Sequence, residues 1–196
     1  MKYKLIISIL LLFQGCATTK VFQPNQIPVS PRVGFLEDVT IDLAIFDGRV
    51  INEFSFEIIN QISNQLKKTY PSAKFNILPS NQFYKDPVSG RITIKIALAS
   101  YDAGFGSNIT VVTVGTFGGD FGYGIIPEGK WNGITGFSIN IYDGRNNNSS
   151  KVTKNIGNVV SLPNMWGYKT ARNALDKSYK QSMQELLFFI DNSLMK

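Results

Sequence analysis

Residues 91–101, RITIKIALASY, decide the fold class. Ile92, Ile94, Ile96 and Leu98 point one way, and Thr93 and Lys95 point the other. A period of two with β-branched residues at alternate places makes a strand with one buried face. Upstream, residues 39–46, VTIDLAIF, repeat the pattern: Val39, Ile41, Leu43 and Ile45 oppose Thr40, Asp42 and Ala44. Asp47-Gly48 then turns the chain. From Val50 to Tyr70 the period changes. Ile51, Phe54, Ile58, Ile62 and Leu66 recur at spacings of three and four, and Ile59 widens the stripe, which is an amphipathic helix. Lys67 and Lys68 suit its C-terminal end, and Pro71 stops it.

Farther out, residues 74–78 read as a short strand, 108–117 as a β-branched strand, 131–142 as a returning strand and 151–162 as a last strand interrupted by Gly157. A long helix follows from Met165 to about Ser193. Ala171, Ala174, Leu175, Ser178, Ser182, Leu186 and Phe189 share one side of it, and the small residues allow close approach to a sheet. Lys169, Arg172 and Lys180 share the solvated side. The order βαβββββα predicts a single α+β domain over residues 39–196, with a largely antiparallel sheet of five to six strands packed with two long helices. A length of 196 residues with 43% apolar and 17% charged side chains fits one sizeable core.

The amino terminus, MKYKLIISILLLFQGC, has basic Lys2 and Lys4 and then an apolar run from Leu5 to Phe13. The run is too short to span a bilayer as a helix and suits a secretory leader. Gly15 directly before Cys16 resembles the bacterial lipoprotein signal, in which a peptidase cuts before the cysteine and the new terminal Cys carries lipid. The expected organisation is a signal peptide over 1–15, a lipidated Cys16 and flexible tether over 16–38 containing Pro24, Pro28 and Pro31, and the folded domain. By the same resemblance, Ala17 rather than aspartate after the cysteine points to the outer membrane, with the domain facing the periplasm. Losing Lys2 and Lys4 with the leader leaves 18 basic against 14 acidic side chains, a net charge of +4 rather than +6. That bias permits contact with an anionic surface. No nucleic-acid partner is expected.

The chain has no histidine and one cysteine, which excludes His-based triads, His-ligated zinc or haem, and an intramolecular disulfide. Asp42, Asp47 and Asp102 lie near strand ends, where turn and cap roles explain them better than acid–base catalysis. Gly115–Gly119, GTFGG, lacks the Lys-Ser/Thr ending of a phosphate loop. No catalytic residue, metal site or cofactor is expected. The Gly-rich hairpin 104–136 holds the candidate partner-binding residues Phe117, Phe121, Tyr123, Ile125 and Ile126. One internal echo stands out. Phe46-Asp47-Gly48-Arg49 and Tyr142-Asp143-Gly144-Arg145 each close a strand, the reading expected of ordinary Asp-Gly turns.

The order of elements from Val39 to Ser193 resembles small periplasmic and outer-membrane lipoproteins of the TolB-N-terminal-like α+β type. These include penicillin-binding-protein activators, transport auxiliary lipoproteins and the curli secretion lipoprotein. The Phe46–Arg49 turn, the helix to Tyr70, the Ile94–Tyr101 strand with its Gly-rich hairpin, the Tyr142–Gly144 turn and the terminal helix carry the likeness. The resemblance implies binding rather than catalysis. The expected function is a non-enzymatic lipoprotein, held to the membrane through Cys16, that docks on an envelope protein of a secretion, transport or cell-wall assembly machine. The alternatives are a pore-forming or membrane-inserting subunit using the hairpin 104–136, and a periplasmic small-ligand carrier.

Overall fold

A computed structural model describes residues 18–50, 53–105, 129–145 and 150–195. The strands are β1 (Thr18–Lys20), β2 (Thr40–Asp47), β3 (Lys74–Leu78), β4 (Ile92–Phe105), β5 (Lys130–Asp143) and β6 (Ser150–Pro163). The helices are α1 (Ser55–Thr69), between β2 and β3, and α2 (Tyr168–Leu194), at the C-terminal end. The strands form one sheet in the order β3-β2-β4-β5-β6, with β1 paired to β4. The fold class is α+β, as the residue pattern implies. The expected signal peptide, Cys16, the strand over 108–117 and the tip residues of the hairpin lie outside the described residues.

The sheet is mixed where a largely antiparallel one was expected. β4–β5, β5–β6 and β1–β4 run antiparallel, while β2 runs parallel to both β3 and β4. The physical reason is the connections. Parallel neighbours need a crossover of a dozen or more residues, and α1 supplies it between β2 and β3. Residues 79–91 then cross the second face of the sheet, where Phe83 packs on Ala44 and Ala97.

Both helices cover the other face. Register aligns Ile94 with Ile141, Ile96 with Ile139 and Leu98 with Phe137. All six are buried, together with Ile58, Ile62 and Leu66 of α1. Each such side chain contributes roughly 1.5–3 kcal/mol on burial. A bulge between Leu98 and Ser100 shifts the alternation by one residue, so that Tyr101 and Ala103 join the same core. The period of two at Ile92–Leu98 therefore does not continue unbroken, yet the strand does.

The small side of α2 lies on β5 and β6. Ala171, Ala174, Leu175, Ser178 and Ser182 are buried. Ser182 Oγ donates to the Thr135 carbonyl at 3.0 Å, and Ser178 Oγ donates to that of Asn158 at 2.8 Å. Gly133 is the point of closest approach. A Cβ there would lie 2.1 Å from the carbonyl carbon of Ala174, so no larger residue fits without moving the helix. α2 begins at Tyr168 rather than Met165, and α1 begins at Ser55, after Phe54 in a left-handed conformation at φ 55°.

The stretch read as a flexible tether is docked on the domain. Thr18–Lys20 pairs with Ala103–Phe105. Val21, Phe22, Ile27 and Phe35 pack against the core, and Leu36 is buried in it. Asn25 meets Asp176 and Arg172 of α2 at 2.5 and 2.7 Å, and Gln61 of α1 donates to its carbonyl at 3.0 Å. Arg32 donates to the Tyr70 hydroxyl at 2.7 Å and pairs with Asp191. Tyr70 in turn donates to Asp191 at 2.8 Å. Burial first and the Asp191 carboxylate second raise the Tyr70 hydroxyl far above its ordinary pKa. The prolines keep this segment extended, but its apolar residues find partners in the groove beside α1 and α2, and contact outweighs chain freedom.

Candidate interaction surface

The two Asp-Gly-Arg turns have the same structure. Asp47 Oδ1 accepts the Arg49 backbone N–H at 3.1 Å and its Nε at 2.8 Å, while Asp47 Oδ2 accepts from the guanidinium at 2.7 Å. The corresponding distances from Arg145 to Asp143 are 3.1, 2.9 and 2.6 Å. Gly48 donates to the Leu98 carbonyl and Gly144 to that of Arg91, both at 2.9 Å, so each turn clamps its strand end onto β4. At Asp47 burial works to raise the pKa, but the Arg49 and Ser55 hydrogen bonds outweigh it and hold the carboxyl below its ordinary value. The Arg145 hydrogen bond does the same at Asp143.

Asp42, Asp47 and Asp102 do not converge. Asp42 accepts from Asn76 at 2.7 Å and Arg91 at 3.4 Å, beside Thr93 at the start of β4. Asp102 lies nine positions farther along the same strand, on the order of 25–30 Å away at the strand rise. Its Oδ1 is buried with no hydrogen-bond partner among the described residues, and burial, opposed by Arg49, pushes its carboxyl up to about 6.

The chemistry that stands out lies at the end of the sheet where the chain enters. β1 starts opposite Phe105, and Phe105 pairs with Trp131, which pairs with Leu162. The rings of Phe105 and Trp131 are 5.1 Å apart, and those of Trp131 and Tyr168 are 5.8 Å apart. Lys20 Nζ sits 5.4 Å above the Tyr168 ring. Beyond β6 the chain makes a short loop, Asn164–Gly167, before α2. Asn164 Oδ1 accepts from Trp131 Nε1 and from the Gly167 N–H, both at 3.1 Å. The Trp166 N–H donates to Thr170 Oγ1 at 3.1 Å, and the Met165 N–H to the Pro163 carbonyl at 2.8 Å. Gly167 takes φ 55°, which suits glycine.

This hydrogen-bonded loop holds its large side chains outward. Met165 is 71% exposed, Trp166 72% and Tyr168 56%. Lys20, Lys130 and Lys169 are exposed beside them, and Thr18–Lys20, Ala103–Phe105, Gly129–Asn132 and Val159–Thr170 contain no Asp or Glu. The opposite end of the sheet mixes both signs, with Asp38–Lys74, Asp42–Arg91 and Asp143–Arg145 pairs.

Of the expected site residues, Cys16, Phe117, Phe121, Tyr123, Ile125 and Ile126 lie outside the described residues. Their neighbours do not. Cys16 precedes Thr18 by two residues, a reach of about 7 Å at most, and residues 106–128 join β4 to β5 at this same end. Met165, Trp166 and Tyr168 were read as the start of a helix. The signal against that reading is Pro163-Asn164 followed by Gly167, which breaks the helix around two aromatics and a methionine.

A second surface is the outer edge of β6, fourteen residues long, which among the described residues pairs only with β5. On the second face of the sheet β5 and β6 are joined by polar pairs. Ser138 donates to Asn155 at 2.8 Å, Thr153 to Asn140 and Ser161 to Asn132. Among the described residues there is no cluster of three or more metal-ligating side chains, and no helix is long and apolar enough to cross a membrane.

No protein-family model matches the chain. No curated protein matches it in sequence either. Solved structures similar to it include the hypothetical protein CT253 of Chlamydia trachomatis, at TM-score 0.45 and 12% identity, covering 79% of this chain and 96% of that one. Lipoprotein GNA1162 of Neisseria meningitidis is similar at TM-score 0.35 and 7% identity, covering 62% and 83%. The PelC dodecamer of Paraburkholderia phytofirmans is similar at TM-score 0.35 and 12% identity, covering 83% and 94%.

Proposed function

We propose that this chain is a bacterial lipoprotein, anchored through Cys16 to the outer membrane and facing the periplasm. It serves without catalysis as a docking subunit of an envelope secretion, transport or cell-wall assembly machine. The observation that carries the reading is the continuity from leader to fold. The Gly15-Cys16 cleavage signal runs, after one further residue, into a strand hydrogen-bonded to the C-terminal end of the central strand β4. The domain is thereby a rigid body fixed at the anchor. Of the three aspartates weighed for acid–base work, Asp42 and Asp47 are held in ion pairs, and Asp42 lies at the far end of β4 from Asp102. The outer edge of β6, which among the described residues pairs only with β5, is the surface assigned to the protein partner, since such an edge offers backbone donors and acceptors to another chain.

The test places a photo-crosslinking residue at Thr153 or Ser161 on β6, and at Glu57 on α1 as a control, in cells making the full chain. The expected result is one envelope protein joined from both β6 positions and not from α1. No product from β6, or equal labelling from Glu57, would sink the reading.

A further inference from the structure

We propose that the end of the domain formed by Thr18, Lys20, Trp131, Met165, Trp166 and Tyr168 lies on the bilayer, with Met165 and Trp166 in the boundary between headgroups and acyl chains. This rests on the lipid-anchor reading of Cys16 and goes beyond it. A lipid anchor alone lets a domain swing at any orientation. Here the free chain between Cys16 and β1 is too short for that, because Ala17 is the single residue between them. The acyl chains would enter the membrane within about 7 Å of Thr18.

The surface that this places against lipid is suited to it. Single exposed apolar residues are ordinary on a protein surface, but three large ones within four positions on a hydrogen-bonded loop form a built patch. Tryptophan and tyrosine are the side chains that settle at the water–lipid boundary, with the ring in the apolar layer and the N–H or O–H in the wet one. Lys20, Lys130 and Lys169 supply positive charge where anionic headgroups lie, and Thr18–Lys20, Gly129–Asn132 and Val159–Thr170 hold no carboxylate side chain to oppose them. Trp131 Nε1 is already committed to Asn164, so Trp131 serves as the fixed base of the patch and Trp166 as its tip.

The chain has two tryptophans, Trp131 buried and Trp166 exposed, which makes the experiment direct. The lipid-bearing protein is purified from membranes and reconstituted into vesicles of phosphatidylethanolamine and phosphatidylglycerol, with or without brominated acyl chains. The expected result is that brominated lipid removes most of the Trp166 emission and iodide does not reach it, while the Trp166→Phe protein keeps its Trp131 signal with either lipid. Quenching of Trp166 by iodide with no effect of brominated lipid would overturn the proposal. So would a Trp166 shielded from both quenchers, because a protein segment would then cover the patch.

A second arm separates this surface from the anchor. The Cys16→Ser protein, carrying no lipid, is sedimented with the same vesicles. Its binding is expected to fall about fivefold for each of Lys20 and Lys130 changed to Gln. Binding that ignores these changes would count against the proposal whether or not Cys16 proves to be acylated. An unacylated Cys16 with charge-dependent binding would instead remove the anchor and keep the patch.

Discussion

Replacing Gly133 by alanine tests the packing on which the whole domain depends. The added carbon would sit 2.1 Å from the Ala174 carbonyl carbon, 2.2 Å from the Leu175 nitrogen and 2.3 Å from the Ala174 oxygen. All three are backbone atoms of α2, so no rotamer change relieves the clash and the helix must shift off β5. Overpacking typically costs about 1–3 kcal/mol, and a clash with backbone belongs at or above the top of that range. For a domain of this size that is a fall in Tm of roughly 6–12 °C. Gly136→Ala is the control on the same strand. Its new carbon would meet the Ser100 Oγ at 2.7 Å, and the next atoms lie at 3.7 Å. A hydroxyl can rotate away, so the cost is expected to be about 1 kcal/mol or less. Calorimetry gives both numbers, and amide exchange along α2 shows whether the helix has loosened. A Gly133→Ala protein with unchanged Tm and protection would refute the close α2–β5 contact.

The remaining predictions concern the core, a buried carboxyl and the docked N-terminal segment. Ile58, Ile62, Ile94 and Ile96 are fully buried, so truncating any one to alanine is expected to cost about 2–5 kcal/mol in denaturant titrations. Asp102 resists ionising in the fold, with its carboxyl raised by burial to about 6. The unfolded chain releases that proton near pH 4, so stability falls by about 2–3 kcal/mol as pH rises from about 4 to 6 and then stays level. Asp102→Asn should remove that fall, and a wild-type minus variant difference that is flat with pH would contradict it. Tyr70→Phe takes away the hydroxyl that Arg32 and Asp191 share, and is expected to cost about 1–3 kcal/mol and speed amide exchange around Arg32.

The strands were legible where branched apolar side chains alternate with polar or small ones, although both faces of β2 and β4 prove to be buried. Ile92–Leu98 and Ile41–Ile45 meet that condition, and α1 and α2 show their stripes as plainly. The parallel pairing of β2 was legible in principle, because a helix between two short strands is the mark of a parallel unit. The docking of residues 18–38 was hidden because three-residue β1 is too short to show a period and the prolines suggest a free chain. The hint was Val21, Phe22, Ile27, Phe35 and Leu36, too apolar for a solvated linker. The aromatic loop at Met165–Tyr168 was masked by the long helix after it. Its presentation depends on Asn164 and Thr170, whose hydrogen bonds form only when β5, β6 and α2 meet. The equivalence of the two Asp-Gly-Arg turns was visible as an echo, and its meaning came from the paired clamps on β4.

The most direct measurement of the central claim is the mass of the N-terminal peptide of the protein taken from bacterial membranes. The expected peptide begins at Cys16 and carries acyl chains on that residue, two positions before the strand that enters the sheet. A peptide beginning elsewhere, or an unmodified Cys16, would contradict the claim.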